Sequence, residues 1–280
     1  FSAWQYGFSL KGFTLKTPAT KKTQILNGSV GIHLERTQSP GLISEILVQG
    51  FDTNIDLGVH AQFLTWQNVQ SRQGNILLNA YGQNADLNVF DNCSFYAPVK
   101  KGVLLSAPRI IMRDCWFGTT SAWSDHDAVD ITIGFQQVRA EDIGKSTTTT
   151  DPQLGHHAQF GALIRPRFEN NASGTAPYIE FKDIDERAGS AVLRPFTIHN
   201  PVMQNTGMNA CIRVADNREG IRIIAPEKFH KIPYLVDDVT KTDGSVQYID
   251  VIGDKSHKTY MGQSSYAKFD QSFYFNTTVV

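Results

Sequence analysis

Residues Gly102–Phe117 read GVLLSAPRIIMRDCWF, and this stretch decides the fold. It holds two short apolar strands, Val103-Leu104-Leu105 and Ile110-Ile111-Met112-Arg113, with a small bend between them. The second closes on Asp114-Cys115 with Phe117 behind. Its end follows a template: apolar, any, apolar, any, then Asn, Asp or Gly, then an apolar or small residue. Phe8-x-Leu10-x-Gly12-Phe13 fits the same template, as do Ile46-x-Val48-x-Gly50-Phe51, Leu64-x-Trp66-x-Asn68-Val69 and Phe90-x-Asn92-Cys93. Val138-x-Ala140-x-Asp142-Ile143, Phe168-x-Asn170-Asn171 and Phe196-x-Ile198-x-Asn200-Pro201 continue it. The corner positions recur every 18–30 residues from Gly50 onward. A second strand series runs with it: Gly31-Ile-His-Leu, Asn54-Ile-Asp-Leu, Asn75-Ile-Leu-Leu, Gly102-Val-Leu-Leu and Ala128-Val-Asp-Ile.

Two strand signals in fixed order and without helical period indicate the stacked coils of a solenoid. A hairpin meander fits less well, because Asn27-Gly28 and Asp243-Gly244 are the only such turn pairs. The Asn/Asp/Gly corner has a physical cause: the chain must turn sharply, and these residues tolerate the left-handed backbone region. The expectation is an all-β parallel β-helix over residues 1–224. From 225 onward the strands are more widely spaced, with Asp243-Gly244 as a turn. A small antiparallel β cap or oligomerisation module over 225–280 is therefore expected, with Pro226 ending the stack.

The chain has 280 residues, 41% of them hydrophobic, enough for a sizeable core. A net charge of −1 gives no general attraction to nucleic acid or anionic membrane. No apolar run approaches the ~20 residues of a membrane helix. Cys93, Cys115 and Cys211 show neither metal spacing nor a disulfide framework. Cys93 and Cys115 share a template position and are expected to stack inside. His126, His156 and His157 lack partners at ligand spacing, so no metal or cofactor is expected. The first rung, Phe8 to Leu15, would expose an open β edge, so a preceding cap or domain is expected.

Paired strands, the Asn/Asp/Gly corner and the Cys/Phe closing positions resemble the right-handed parallel β-helix of pectate-lyase-like proteins. The near-neutral charge and β-rich C-terminus look more like a bacteriophage tailspike. That resemblance covers residues 8 to about 224 and is one of architecture. It implies an extracellular, virion-borne homotrimer that binds bacterial surface polysaccharide, and often cleaves it, without a cofactor. Polygalacturonase signatures (Asn-Thr-Asp, Gly-His-Gly, Arg-Ile-Lys) are absent, as is a clear calcium-binding Asp cluster.

In the template, the residues between apolar positions face outward. This register places Glu141 and Glu169 on neighbouring rungs, ~4.8 Å apart. Paired carboxyls at such range suit glycoside cleavage, one as acid and one as base or nucleophile. Arg113, Arg139, Arg167 and His199 surround them in the same reading and would hold an acidic or phosphorylated glycan. The bland alternative is a solvated ladder of Arg–Glu pairs. A second acidic stretch, Trp123-Ser-Asp125-His126-Asp127 followed by an outward Asp130, offers an aromatic face for a sugar and a further candidate carboxylate in Asp127. Loops 118–127 and 144–160 leave successive corners and are expected to wall a groove. Three functions compete: a polysaccharide depolymerase, a hydrolase rather than a lyase; a non-catalytic carbohydrate-binding spike or adhesin; and a purely structural β-helix.

Overall fold

The structure is a computed structural model. It describes residues 7–37, 40–81, 85–137, 155–157, 160–171, 176–182, 196–204, 210–215, 220–229, 234–238, 249–252 and 260–261. Almost all of the regular structure is β. Among the described residues, three parallel sheets of nine, eight and nine strands run from Phe8 to Met261, with a further small two-stranded sheet. Each rung visits the three sheets in turn. The fifth, for example, contributes Ile111–Arg113 to the first sheet, Trp116–Thr120 to the second and Val129–Ile133 to the third. Neighbours within a sheet are successive rungs, paired in parallel register. This is a parallel β-helix.

Alternation fills the interior. Ile43, Trp66, Phe90, Met112 and Leu163 form one inward column, and all are fully buried. Aromatic rings stack along the axis at rung spacing: Trp66 on Phe90 at 5.5 Å, Phe95 on Phe117 at 5.5 Å and Phe117 on Phe168 at 5.1 Å. Such offset stacks add stabilisation beyond their buried area.

Between first and second sheets the chain turns on a single left-handed residue per rung: Gly12, Glu45, Asn68, Asn92, Asp114, Arg165, Asn200 and Ala225. Asn92 Nδ2 donates to Asn68 Oδ1 at 2.7 Å, so the corner amides bond from rung to rung. Two expected corners are thereby revised. Gly50 belongs with Gln73 and Ala97 to a different left-handed corner, between second and third sheets. Asn170 lies within the strand Arg167–Asn171, and Asp142 falls outside the described residues. The true successor of Asp114 is Arg165, 51 residues on. One long rung therefore occupies the place where the sequence pattern implied two.

Proline explains another difference. Pro166, Pro201 and Pro226 each follow a left-handed corner residue, in the position that Cys93 and Cys115 hold in earlier rungs. There the fixed φ of proline suits the entry to the next strand. Pro226 therefore does not end the stack. Glu227–Phe229, Tyr234–Asp238, Ile249–Ile252 and Tyr260–Met261 all pair in parallel and extend the three sheets. The described strands beyond 225 thus pair in parallel rather than antiparallel, and the rest of the cap expected over 225–280 lies outside the described residues. Asp243-Gly244 lies outside the described residues.

Candidate functional site

The third sheet carries the polar face. Its ladder skips one residue near the start of each strand: Gly31, Asn54, Leu77, Gly102 and Asp130 occupy that position in successive rungs. The skipped residue turns inward. Asn54 shows it, donating from Nδ2 to Val48 O, Ser71 Oγ and Arg72 O at 3.2, 3.0 and 2.9 Å. Asp130 sits in the same column and is 2% exposed. Its Oδ1 has no hydrogen-bond partner among the described residues, and burial pushes its carboxyl well above the usual range. The expectation of an outward Asp130 is thus overturned. The sequence pattern aligned Asp130 with Asp56, but the ladder aligns Ile131 with Ile55 through Leu78 and Val103.

The following outward positions form one row along the axis: His33, Asp56, Asn79, Leu104, Thr132, Glu180 and Arg213. Its first three members are hydrogen-bonded. His33 Nδ1 lies 2.8 Å from Asp56 Oδ2, and Asn79 Nδ2 donates to Asp56 Oδ1 at 3.0 Å. His33 Nε2 is 3.6 Å from Glu35. The bond to Asp56 raises the His33 pKa above its ordinary value, against the opposing effect of partial burial. The middle of the row is enclosed although it faces outward: Asp56, Asn79, Leu104, Thr132 and Glu180 are each at most 8% exposed. Thr132 Oγ1 and Asn79 Oδ1 have no partner among the described residues. Two residues further along the strands comes a second outward row that includes Gly58, Ser106, Gly134 and Lys182. Around Thr132 and Glu180 that row is small except for the exposed Lys182.

Of the two loops expected to wall a groove, 118–127 is described, its first three residues lying in the strand Trp116–Thr120, while most of 144–160 lies outside the described residues. Residues 121–128 enter the strand Val129–Ile133, and the hairpin of Phe135–Gln137 with Gly155–His157 leaves it directly after Gly134. The strand that these segments adjoin is the one bearing Thr132. Trp123 is half-buried in the first wall, His126 and Asp127 are exposed there, and Asp125 is bound by Lys22 at 2.6 Å.

Other expected residues are dispersed. Glu141 and Arg139 lie outside the described residues. Glu169 stands on the second sheet, where its rung neighbours are Gly118 and Gln204, so no strand bearing Glu141 lies beside it. It pairs within its own strand with Arg167 at 2.7 Å. Arg113 and His199 line the first sheet, separated by Ile164, and Arg113 binds Asp91 at 2.9 Å. Asp114 is held by Arg165 through two bonds of 2.6 and 2.5 Å, which keep its carboxyl below the usual range. These are the solvated ladder pairs of the bland alternative.

Thr132, Glu180, Lys182 and Arg213 escaped the sequence reading. The signal that finds them is the second strand series, whose third letters His33 and Asp56 already begin the outward row. A shallow depression of about 550 Å³ near the first rungs is lined by Phe8, Pro40, Leu42 and Phe63 among others. It holds no titratable side chain and offers no chemistry. Among the described residues no helix is long and apolar enough to cross a membrane, and no group of three or more His, Cys, Asp or Glu could hold a metal.

In comparisons with known proteins, no family model matches the chain, and no significant match is found to a curated protein or a solved structure.

Proposed function

We propose that this β-helix is a receptor-binding protein of the tailspike kind, which binds bacterial surface polysaccharide along the outer face of its third sheet and cleaves it by glycoside hydrolysis. The observation that carries the reading is Glu180. It is a carboxylate only 8% exposed, on an outward row, with no hydrogen bond or ion pair among the described residues. An enclosed carboxylate on an outward-facing row, with polar neighbours on both adjacent rungs, stands where a ligand lying along the sheet would meet it. Thr132 on the preceding rung offers a hydroxyl for a sugar, and Arg213 on the next offers positive charge. Glu180 supplies one carboxyl of the pair that hydrolysis needs, and Asp127 on the flanking wall supplies the other. Lys182 and Arg213 also favour a second reading, a lyase acting on an acidic glycan, in which a basic side chain removes the proton beside the uronate.

The proposed homotrimer is supported by the first sheet. Leu42 on its outer face, with Phe63, Leu87 and Phe160 along its edge, is at least 38% exposed.

The test is incubation with purified capsular and O-antigen polysaccharides, read by loss of polymer size and by new reducing ends. Glu180→Gln should fold, retain binding and lose turnover by ~10²-fold or more, the usual cost of removing a general acid or base. Ultraviolet-absorbing unsaturated ends would assign the lyase. Binding without cleavage would leave a recognition spike. Absence of binding to any polysaccharide, or full activity in both Glu180→Gln and Asp127→Asn, would overturn the assignment of the site.

A further inference from the structure

Connections from the second sheet to the third differ along the solenoid. In the second, third and fourth rungs they are tight and turn on left-handed Gly50, Gln73 and Ala97. In the first and fifth rungs they are long, residues 17–29 and 121–128. Four rung spacings, ~19 Å at ~4.8 Å each, separate the two long loops, and three low corners lie between them. Yet the loops touch. Lys22 Nζ is 2.6 Å from Asp125 Oδ1 across 103 residues of sequence. The first loop therefore runs along the flank of the third sheet, over the low corners, to reach the wall beside Thr132.

Its attachment is uneven. Both ends are fixed at the second rung. Thr17 Oγ1 donates to Gly50 O at 2.9 Å, Gly28 N donates to Asp52 Oδ2 at 2.7 Å, and Asp52 N donates to Ser29 Oγ at 3.0 Å. The tip is one unit, because Gln24 Oε1 accepts from Thr20 N at 2.8 Å and from Lys21 N at 3.2 Å around a short 3₁₀ turn. Between the anchors only Ala19 is buried, and Leu26 is 73% exposed. The tip is thus joined to the body through Lys22–Asp125, whose side chains are 40% and 38% exposed.

We propose that residues 17–29 form a hinged flap, latched by Lys22 and Asp125, whose release uncovers the flank of the polar row between its first and fifth rungs. That the row binds a chain-like glycan rests on the function proposed above, whereas the flap itself does not. A half-exposed ion pair shifts such an equilibrium by only about fivefold, and salt screens it, so the latch can open without unfolding the rungs. An acidic polymer entering along the flank would compete with Asp125 for Lys22.

Amide hydrogen exchange on the full chain tests the proposal without any glycan. Exchange over residues 18–27 should rise several-fold in Lys22→Ala, in Asp125→Asn and in wild type at high salt, with the strands of the second rung unchanged. The charge swap Lys22→Asp with Asp125→Lys should restore slow exchange where Lys22→Asp alone does not, which separates a latch from a folding defect. A thiol introduced as Ile76→Cys, on the third-sheet edge behind the flap, should alkylate faster when Asp125→Asn is added. Unchanged exchange over 18–27 in both single variants and in high salt would overturn the latch, and equal alkylation rates would overturn the cover. A chain that binds no polysaccharide leaves both readouts intact.

Discussion

Asp130 is the residue at which burial and charge conflict most. Its carboxyl stands in a column whose second-rung member, Asn54, satisfies its amide with four hydrogen bonds, whereas Asp130 Oδ1 has no partner among the described residues. Burial disfavours the charged carboxylate, so the folded pKa is raised. The resulting stability is fully present below the ordinary Asp value of ~3.9 and is lost as pH rises toward the folded value, by up to ~1.4 kcal/mol per pH unit. Asp130→Asn removes that slope. Chemical denaturation should find the variant equal to wild type near pH 4 and more stable near pH 8. His33 acts in the same direction, since its pKa is also raised: what it contributes is present below ~6.5 and lost as pH rises through its folded value. A second residue-scale prediction concerns Glu45, which holds the left-handed corner at φ 57 beside Asn68 on the next rung. Asparagine tolerates that conformation and can extend the Asn68–Asn92 amide ladder. Glu45→Asn should gain about 0.5–1 kcal/mol despite loss of the exposed Lys11 pair, seen as a higher Tm in thermal unfolding.

At the scale of elements, the interior columns make the strand ends intolerant. Cys93 and Cys115 occupy adjacent rungs, each 1% exposed, and burial together with the neighbouring Cys93 thiol pushes the Cys115 thiol well up. A buried, protonated thiol is a poor nucleophile. In native buffer Cys115 should stay unlabelled by a thiol reagent while the chain is folded, and should react at once in denaturant. Cys115→Arg should fail to fold, because an unpaired buried charge costs several kcal/mol. The corner itself accepts more residue types than the sequence pattern allowed. Glu45, Arg165 and Ala225 fill left-handed positions as Asn and Gly do, because the ladders on either side impose the turn. That tolerance hides a corner from local pattern: Arg165 fills the position that the pattern assigns to Asp142 and Asn170.

At the scale of the molecule, the β-helix is long, parallel and almost free of helix. Its polar row and its apolar sheet face different directions. If three chains associate through the first sheet, the third-sheet rows remain on the outside of the assembly. Light scattering on the full chain should give three times the 31.2 kDa chain mass. Replacing Leu42 and Phe63 together by Ser should lower the mass without altering the circular dichroism. A monomeric wild type would exclude the trimer.

The sequence by itself determined the class of fold. Alternation with period two, repeated with polar corners, permits little besides stacked coils, and the inward Trp66, Phe90, Cys93 and Cys115 are legible from that pattern. It also marked the aperiodic stretch that leads into the strand Val129–Ile133, because residues without strand period between two rungs must leave the stack. What only the tertiary structure decided was which rung stacks on which. A step of one coil between Asp114 and Arg165, in place of two, separates Glu169 from any Glu141 strand and assembles Thr132, Glu180 and Arg213 instead. A single skipped residue per strand sends Asp130 inward while Asp56 stays outward. Side-chain direction alternates at every residue, so an offset of one position reverses a face, and rung stacking is set by hydrogen bonds between segments far apart in sequence, which local pattern does not record.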